Sequence, residues 1–189
     1  MRIFIAIELP DVIKQAILRQ RDILSNLLPQ VQFTAASTWH ITLAFIGETT
    51  DSELQQTLSA VKFAARQCGP VEIALGNVGY FGPVTQPKVI FIDLTGQMQQ
   101  LAAMQQTVAQ SLRSFDVDYD RKAFVPHITL ARNKRQLPAE WRAMSAKALN
   151  SLPKAPVFRA DAMVVMQSEL QSAGAKYTPL QRIQLGGLT

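Results

Sequence analysis

The chain contains only two histidines, and both begin a His-Ile-Thr-Leu-Ala pentapeptide that occurs twice. Successive side chains of a β-strand point to opposite faces, so each copy presents an imidazole and a hydroxyl together: His40 with Thr42, and His127 with Thr129. Two facing imidazoles can act on opposite sides of a phosphorus atom, one giving a proton to the leaving oxygen and one taking a proton from the attacking oxygen. The repeat therefore indicates acid/base chemistry on a phosphate ester.

Two other interpretations of these histidines have to be weighed. A single His-x-Thr segment is typical of a structural histidine, but a duplicated core has no need to keep a titratable ring twice, because burying an unpaired imidazole costs free energy. A two-histidine metal site would need carboxylates or cysteines at ligand spacing, and threonine is a poor zinc ligand. The lone Cys68 falls on an apolar helical face, so we do not expect it to be a nucleophile. We predict no metal and no other cofactor.

The elements that carry the two motifs also repeat. The histidines are 87 residues apart, and Ile-Phe-Ile occurs at 3–5 and again at 90–92 with the same offset. Each half is predicted to contain a strand, a helix and then the His-x-Thr strand. A helix is predicted to begin at a Thr50/Glu53 capping box and to end at Gly69-Pro70. Strands are predicted at 71–81 and 88–94, followed by a helix through Leu101 and Phe115 and a short helix around Trp141. Two strand-like runs, 158–170 and 176–185, complete the chain and are joined near Ser172-Ala173-Gly174.

This order predicts an α+β fold of two pseudo-symmetric lobes, each an antiparallel sheet backed by helices, with a central cleft where the His-x-Thr strands meet. The 189 residues suffice for one domain, 1–189, whose lobes are centred on 40–44 and 127–131. No segment between them has the composition of a flexible linker.

Composition and charge narrow the class of partner. With 19 basic and 14 acidic residues the chain carries a net charge of +5, which favours an anionic partner such as RNA or a nucleotide, although many basic proteins bind no nucleic acid. The apolar start, MRIFIAIEL, is too short to span a bilayer and is not followed by a signal-peptidase site. We therefore expect a cytoplasmic monomer without membrane association.

The segments HITLAFIG and PHITLAR, in a chain that opens with RIFIAIELP, resemble the two signatures of the 2H phosphoesterase superfamily. Within it the chain is most similar, over nearly its whole length, to the bacterial and archaeal RNA 2′,3′-cyclic phosphodiesterases, also called 2′-5′ RNA ligases. The resemblance implies metal-independent hydrolysis of a 2′,3′-cyclic phosphate RNA end to a 2′-phosphate. It also implies that His40 is the proton donor to the departing ribose 3′ oxygen and that His127 is the proton acceptor from water. From the residues alone, the symmetry leaves that order open.

Three further assignments concern the phosphate and the base. The hydroxyls of Thr42 and Thr129 are suited to stabilise charge on the phosphoryl oxygens. The resemblance adds Arg132 as another phosphate ligand, although strand alternation turns it away from Thr129 unless the strand bends or ends; a solvated arginine is the alternative. Phe45 is a candidate to stack on an unpaired RNA base, with a core role as the alternative.

Other functions stay open at this point. An RNA-end-binding module without turnover would need the basic surface but not both histidines, and a phosphodiesterase for a small cyclic nucleotide would use the same groups. Joining a 5′-hydroxyl to a cyclic phosphate is the same chemistry with ribose replacing water, so 2′-5′ ligation is also possible. No G-x-x-x-x-G-K-[ST] loop is present, and ATP is not expected in either direction. Among RNAs with a 2′,3′-cyclic phosphate end, tRNA fragments are one candidate substrate.

Overall fold

The computed structural model describes residues 1–171 and 174–186, so Ser172 and Ala173 of the predicted turn lie outside the described residues. The first half of the chain contains β1 (Arg2–Glu8), α1 (Asp11–Leu27), β2 (Gln32–Phe33), β3 (His40–Glu48), α2 (Asp51–Gln67) and β4 (Val71–Phe81). The second half contains β5 (Val89–Gly96), α3 (Met98–Ser114), β6 (His127–Arg132), α4 (Trp141–Leu149), β7 (Phe158–Ala160), β8 (Ala162–Gln171) and β9 (Gly174–Gln184). A 3-10 turn, Ala36–Thr38, precedes β3.

The strands form two antiparallel sheets, which confirms the predicted α+β class. The first sheet has the order β3-β1-β8-β9 and the second has the order β2-β6-β5-β4-β7. The offset of 87 residues relates β1 to β5 and β3 to β6, and it carries the boundaries of α1 onto those of α3. The duplication inferred from the pentapeptides therefore extends to the elements around them.

Two details of the topology differ from the sequence-based prediction. The run 158–170, predicted as one strand, is divided at Asp161 into β7 and β8, which belong to different sheets. The carbonyl of Asp161 accepts a hydrogen bond from the backbone N–H of Leu185 (2.8 Å), which fixes the chain where it crosses between sheets. The strand β2 was not predicted, because two residues are too few for a periodic pattern.

The central strands are buried on both faces. In β1 the side chains Ile3, Ile5 and Ile7 face one way into the main core, while Phe4 and Ala6 belong to a smaller cluster on the opposite face. An unbroken apolar run is typical of a strand that is covered on both sides. The second face of β1 therefore forms a packed support beneath the cleft.

The helices complete the core through their apolar faces. The predicted capping box at the start of α2 is confirmed: Thr50 Oγ1 accepts from the Glu53 N–H (3.3 Å), and the Glu53 carboxylate accepts from the Thr50 N–H (2.8 Å). One cluster of buried residues includes side chains from both sheets. Among the helices of residues 1–171 and 174–186, none is long and apolar enough to cross a membrane.

Candidate active site

The strands β3 and β6 bring the two pentapeptides to one cleft with a volume of about 250 Å³. His40, Thr42, His127 and Thr129 all line it. The alternate residues of the same strands are buried: Ile41, Leu43, Ile128 and Leu130. The alternation of strand side chains thus has the predicted effect, since one face of each strand packs in the core and the other opens to the cleft.

Both imidazoles are oriented in the same way by the backbone. His40 Nδ1 lies 2.7 Å from the carbonyl oxygen of Thr38, and His127 Nδ1 lies 2.7 Å from the carbonyl oxygen of Val125. Because a carbonyl oxygen can only accept, Nδ1 carries the hydrogen in each ring and Nε2 is the nitrogen that can exchange a proton. His40 Nε2 is also 2.9 Å from Thr42 Oγ1. The neutral His40 ring therefore accepts a hydrogen bond from that hydroxyl.

An aromatic ring from the neighbouring strand supports each imidazole. Phe4 of β1 lies 4.7 Å from His40 between ring centroids, and Phe91 of β5 lies 5.1 Å from His127. These two phenylalanines are the central residues of the repeated Ile-Phe-Ile segments. The sequence repeat alone does not predict this contact with the histidines.

A second aromatic residue meets each imidazole edge-on, Tyr177 against His40 at 5.2 Å and Phe81 against His127 at 5.0 Å. Tyr177 belongs to β9, which is distant in sequence from both motifs, so no local pattern could have assigned it to the cleft. With one tilted and one nearly perpendicular aromatic ring packed against it, each imidazole has little freedom to rotate away from its carbonyl partner.

A β-bulge decides the position of Arg132. Thr129 pairs with Phe91 and Arg132 pairs with Val89, so an advance of three residues along β6 corresponds to only two residues along β5. Leu130 lies within the bulged segment. The extra residue reverses the alternation beyond it, and Arg132 comes to the same face as Thr129. Arg132 lines the cleft. The condition for a phosphate-binding position, a bend in the strand, is thus met.

A matching bulge lies in β3. Thr42 pairs with Ala6 and Phe45 pairs with Phe4, again three steps against two. Phe45 therefore occupies the position in β3 that Arg132 occupies in β6. It is half-buried, lines the cleft and packs on Phe4 at 5.4 Å between ring centroids. The pseudo-two-fold therefore relates an aromatic side chain of the cleft, Phe45, to a cationic one, Arg132.

Other cleft residues were missed because they lie on irregular segments or distant strands. They include Thr34, Gln105, Asp120, Lys122 and Phe124. Thr34 has a structural role, since its hydroxyl donates to the carbonyl oxygens of Thr129 (3.1 Å) and Leu130 (2.9 Å) at the bulge of β6. The Lys122 ammonium donates to the Asp120 carboxylate at 2.8 Å.

The electrostatics of the cleft act mainly on His40. Desolvation of the half-buried ring lowers the pKa of His40 to about 4, although the hydrogen bond to the Thr38 carbonyl opposes this by favouring the protonated ring. The positive charges of His127 and Arg132 lower the pKa of His40 further. At neutral pH the ring is therefore unprotonated, and a negative charge entering the cleft would favour its protonation.

Neither a metal site nor a reactive thiol is found in the described part of the chain. No three His, Cys, Asp or Glu side chains in residues 1–171 and 174–186 are grouped to hold a metal ion. Cys68 is buried at the end of α2, and this burial raises the pKa of its thiol. A protonated, buried thiol is a poor nucleophile.

Replacing Gly79 with alanine is expected to destabilise the support beneath His127. A Cβ at Gly79 would overlap the Phe91 ring, which is itself packed between Phe81 and His127. If overpacking lowers the free energy of unfolding by about 2 kcal/mol, the Tm falls by roughly 4–8 °C in a chain of this size. The matched control is Gly69→Ala, where a Cβ meets no atom within 4 Å. Equal Tm values for both variants in thermal unfolding would contradict the predicted clash.

Comparisons with known proteins point to one family. Residues 10–172 match the family described as the 2′-5′ RNA ligase superfamily. An RNA 2′,3′-cyclic phosphodiesterase of Geobacillus stearothermophilus is 32% identical over 97% of this chain, which spans only 57% of that relative's length. The protein of the same name from Methanothermobacter thermautotrophicus is 25% identical over 98% of this chain and 99% of its own. The crystal structure of TT0787 of Thermus thermophilus superposes with a TM-score of 0.77 at 26% identity, covering 99% of both chains.

Proposed function

This chain belongs to the 2′-5′ RNA ligase superfamily, and we propose that it is an RNA 2′,3′-cyclic phosphodiesterase that opens a 2′,3′-cyclic phosphate RNA end to a 2′-phosphate. The observation that carries the proposal is the pair of imidazoles lining one cleft, each with Nδ1 held by a backbone carbonyl and Nε2 left for proton transfer. Opening a cyclic phosphodiester needs one proton removed from water and one delivered to the departing oxygen. Two such imidazoles supply both transfers.

In the proposed mechanism, His127 Nε2 takes a proton from water as the water oxygen attacks phosphorus. The bond from phosphorus to the ribose 3′ oxygen breaks, and His40 Nε2 delivers a proton to that oxygen. The product carries a 2′-phosphate and a free 3′-hydroxyl. The charge that grows on the non-bridging oxygens is stabilised by Thr42, Thr129 and Arg132, which line the same cleft. The order of the two histidines follows the family resemblance.

The low pKa of His40 fits a proton donor only if the substrate changes the ring's environment. The phosphodiester is anionic, and a negative charge beside His40 favours the imidazolium form and offsets the desolvation. The ring would then take up its proton together with the substrate. Thr42 can follow this change, because its hydroxyl donates to the neutral Nε2 and can accept from the protonated one.

The same groups can join an RNA 5′-hydroxyl to the cyclic phosphate, which would produce a 2′-5′ linkage. His127 then takes its proton from the 5′-hydroxyl instead of from water, and His40 again delivers a proton to the departing ribose 3′ oxygen. Ligation from a cyclic phosphate uses the energy of the strained ring and needs no ATP. We include it in the proposal as the same displacement with a ribose hydroxyl in place of water.

The proposal is tested with an oligonucleotide that ends in a 2′,3′-cyclic phosphate, incubated with the protein in excess EDTA. We expect hydrolysis at the rate measured without EDTA, because the proposed steps use only side chains of this chain. The product should carry a 2′-phosphate, identified by its difference from a 3′-phosphate standard. Activity that disappears with EDTA and returns with zinc or manganese would contradict the metal-independent mechanism.

A further inference from the structure

A second concave surface adjoins the cleft on the side of β6. It has a volume of about 880 Å³, and its walls come from the segment around β2 and from the loops that follow β4 and β6. Four cationic residues line it, and we call it the basic groove: Lys88, Arg132, Lys134 and Arg135. None of the described residues that line the groove is acidic. The surface therefore presents positive charge without compensating carboxylates in its walls.

The basic groove is continuous with the cleft through Arg132, which lines both. Arg132 is the last residue of β6, and the bulge in that strand turns it towards the histidines. The groove begins where the chain leaves this strand. A polyanion with one phosphate at the histidines would meet Arg132 first and then the other three cations.

The backbone that carries these cations is fixed by a buried amide. Asn133, 6% exposed, donates through Nδ2 to the carbonyl oxygens of Pro87 (3.0 Å) and Arg135 (2.7 Å), and its Oδ1 accepts from the Arg135 N–H (3.0 Å). Its backbone N–H donates to the Lys88 carbonyl (3.0 Å). The loops after β4 and β6 are thereby joined into one support.

The cationic side chains on this support are available for an anionic partner. Lys88, Lys134 and Arg135 are exposed, and within residues 1–171 and 174–186 they form no ion pair. Cations held on a preorganised backbone lose less entropy when they bind phosphates than cations on a mobile loop.

We propose that the basic groove binds the single-stranded RNA that precedes the cyclic phosphate end, an inference that rests on the proposed function. The centre of a protein interface is depleted of charged residues, whereas a row of cations is typical of a surface that follows a nucleic-acid backbone. The groove contributes binding energy only when the substrate has phosphates beyond the reacting one. It therefore makes the protein favour RNA ends over small cyclic nucleotides.

The test compares cytidine 2′,3′-cyclic phosphate with a ten-nucleotide single-stranded RNA that ends in the same nucleotide. The groove variant carries Lys88→Gln, Lys134→Gln and Arg135→Gln. We expect the ratio of kcat/KM for the RNA to kcat/KM for the mononucleotide to fall about tenfold or more, because three phosphate contacts are lost. The slope of log kcat/KM for the RNA against log salt should become less negative by about 2, at roughly 0.7 per contact on single strands.

The matched control variant carries Lys62→Gln, Arg66→Gln and Lys147→Gln, which remove the same charge from exposed helical positions outside the cleft and the groove. It should keep the wild-type ratio and slope. A folded groove variant that also keeps both would overturn the groove assignment. If the triple groove variant does not fold, the single variants Lys88→Gln and Arg135→Gln are tested for the same change in ratio and slope.

A binding measurement separates failure of the groove from failure of the proposed function. If the wild-type protein hydrolyses neither substrate, the proposed function is wrong, and the fluorescence anisotropy of a fluorescein-labelled ten-nucleotide RNA then decides on the groove. Weaker binding by the groove variant than by the control variant would support the RNA-binding surface. Equal binding would overturn it.

Discussion

Replacing His40 or His127 with alanine is expected to lower kcat/KM for a 2′,3′-cyclic phosphate RNA by roughly a hundredfold or more in each case. Each variant removes one of the two proton transfers, and no other imidazole exists in the chain to replace it. The measurement is initial-rate hydrolysis by each single variant. Ligation of an RNA 5′-hydroxyl should be lost in the same two variants, because it uses the same two proton transfers.

Two controls separate lost chemistry from lost structure. His40→Asn and His127→Asn keep an amide donor for the carbonyl oxygens of Thr38 and Val125 but lack the titrating Nε2. They should fold with near wild-type Tm and be as inactive as the alanine variants. Cys68→Ser should retain activity, since the thiol lies outside the cleft. Near wild-type turnover in either His→Ala variant would disprove the two-imidazole mechanism.

The pH profile of kcat/KM is expected to be a bell whose acid limb lies well below pH 6.5, towards pH 4. This limb reports the lower ionisation of the free protein, and burial lowers the pKa of His40 to about 4. Below the lower pKa of the pair a second proton is bound and no base remains, so the rate falls about tenfold per pH unit. The pKa values read from the two limbs are macroscopic values of the coupled pair and do not belong to either ring alone.

The profile of kcat should differ from that of kcat/KM in a defined direction. It reports the substrate complex, where the phosphodiester charge raises the pKa of His40, so the acid limb of kcat should lie at higher pH. Both profiles are measured at one salt concentration, because RNA affinity depends on ionic strength. Thermal unfolding at each pH checks that the acid limb is not loss of the folded state. An acid limb of kcat/KM at or above pH 6.5, or a monotonic profile, would contradict the prediction.

Much of the fold could be predicted from the sequence because particular residues reveal the duplication. The two Ile-Phe-Ile segments and the two pentapeptides share one offset, and this offset relates β1 to β5 and β3 to β6. Strand alternation then determined which side chains would share a face, and His40, Thr42, His127 and Thr129 lie in one cleft accordingly. These inferences succeed because hydrophobic periodicity is a local property.

The rest of the site depends on tertiary structure that leaves no local pattern. The cleft-facing positions of Phe45 and Arg132 follow from one extra residue in each motif strand, and a bulge of this kind has no compositional signature here. Tyr177 reaches His40 from β9 only through the pairing of the sheet. The division at Asp161 is set by the two sheets that β7 and β8 join, and neighbouring residues alone do not determine it.

The exchange of strands between the two halves has a consequence for biosynthesis. β1 pairs with β8 at residues 160 positions apart, Ile5 with Val165, whereas β4 leaves the first half to pair with β5. Contacts of such sequence separation close slowly, because a long loop must be ordered before they form. On the ribosome, the edge of β1 would stay open until β8 emerges, and an open apolar edge is a template for pairing with another chain. Neither half contains a complete sheet of its own, so both sheets are completed only after strands of the second half have been synthesised.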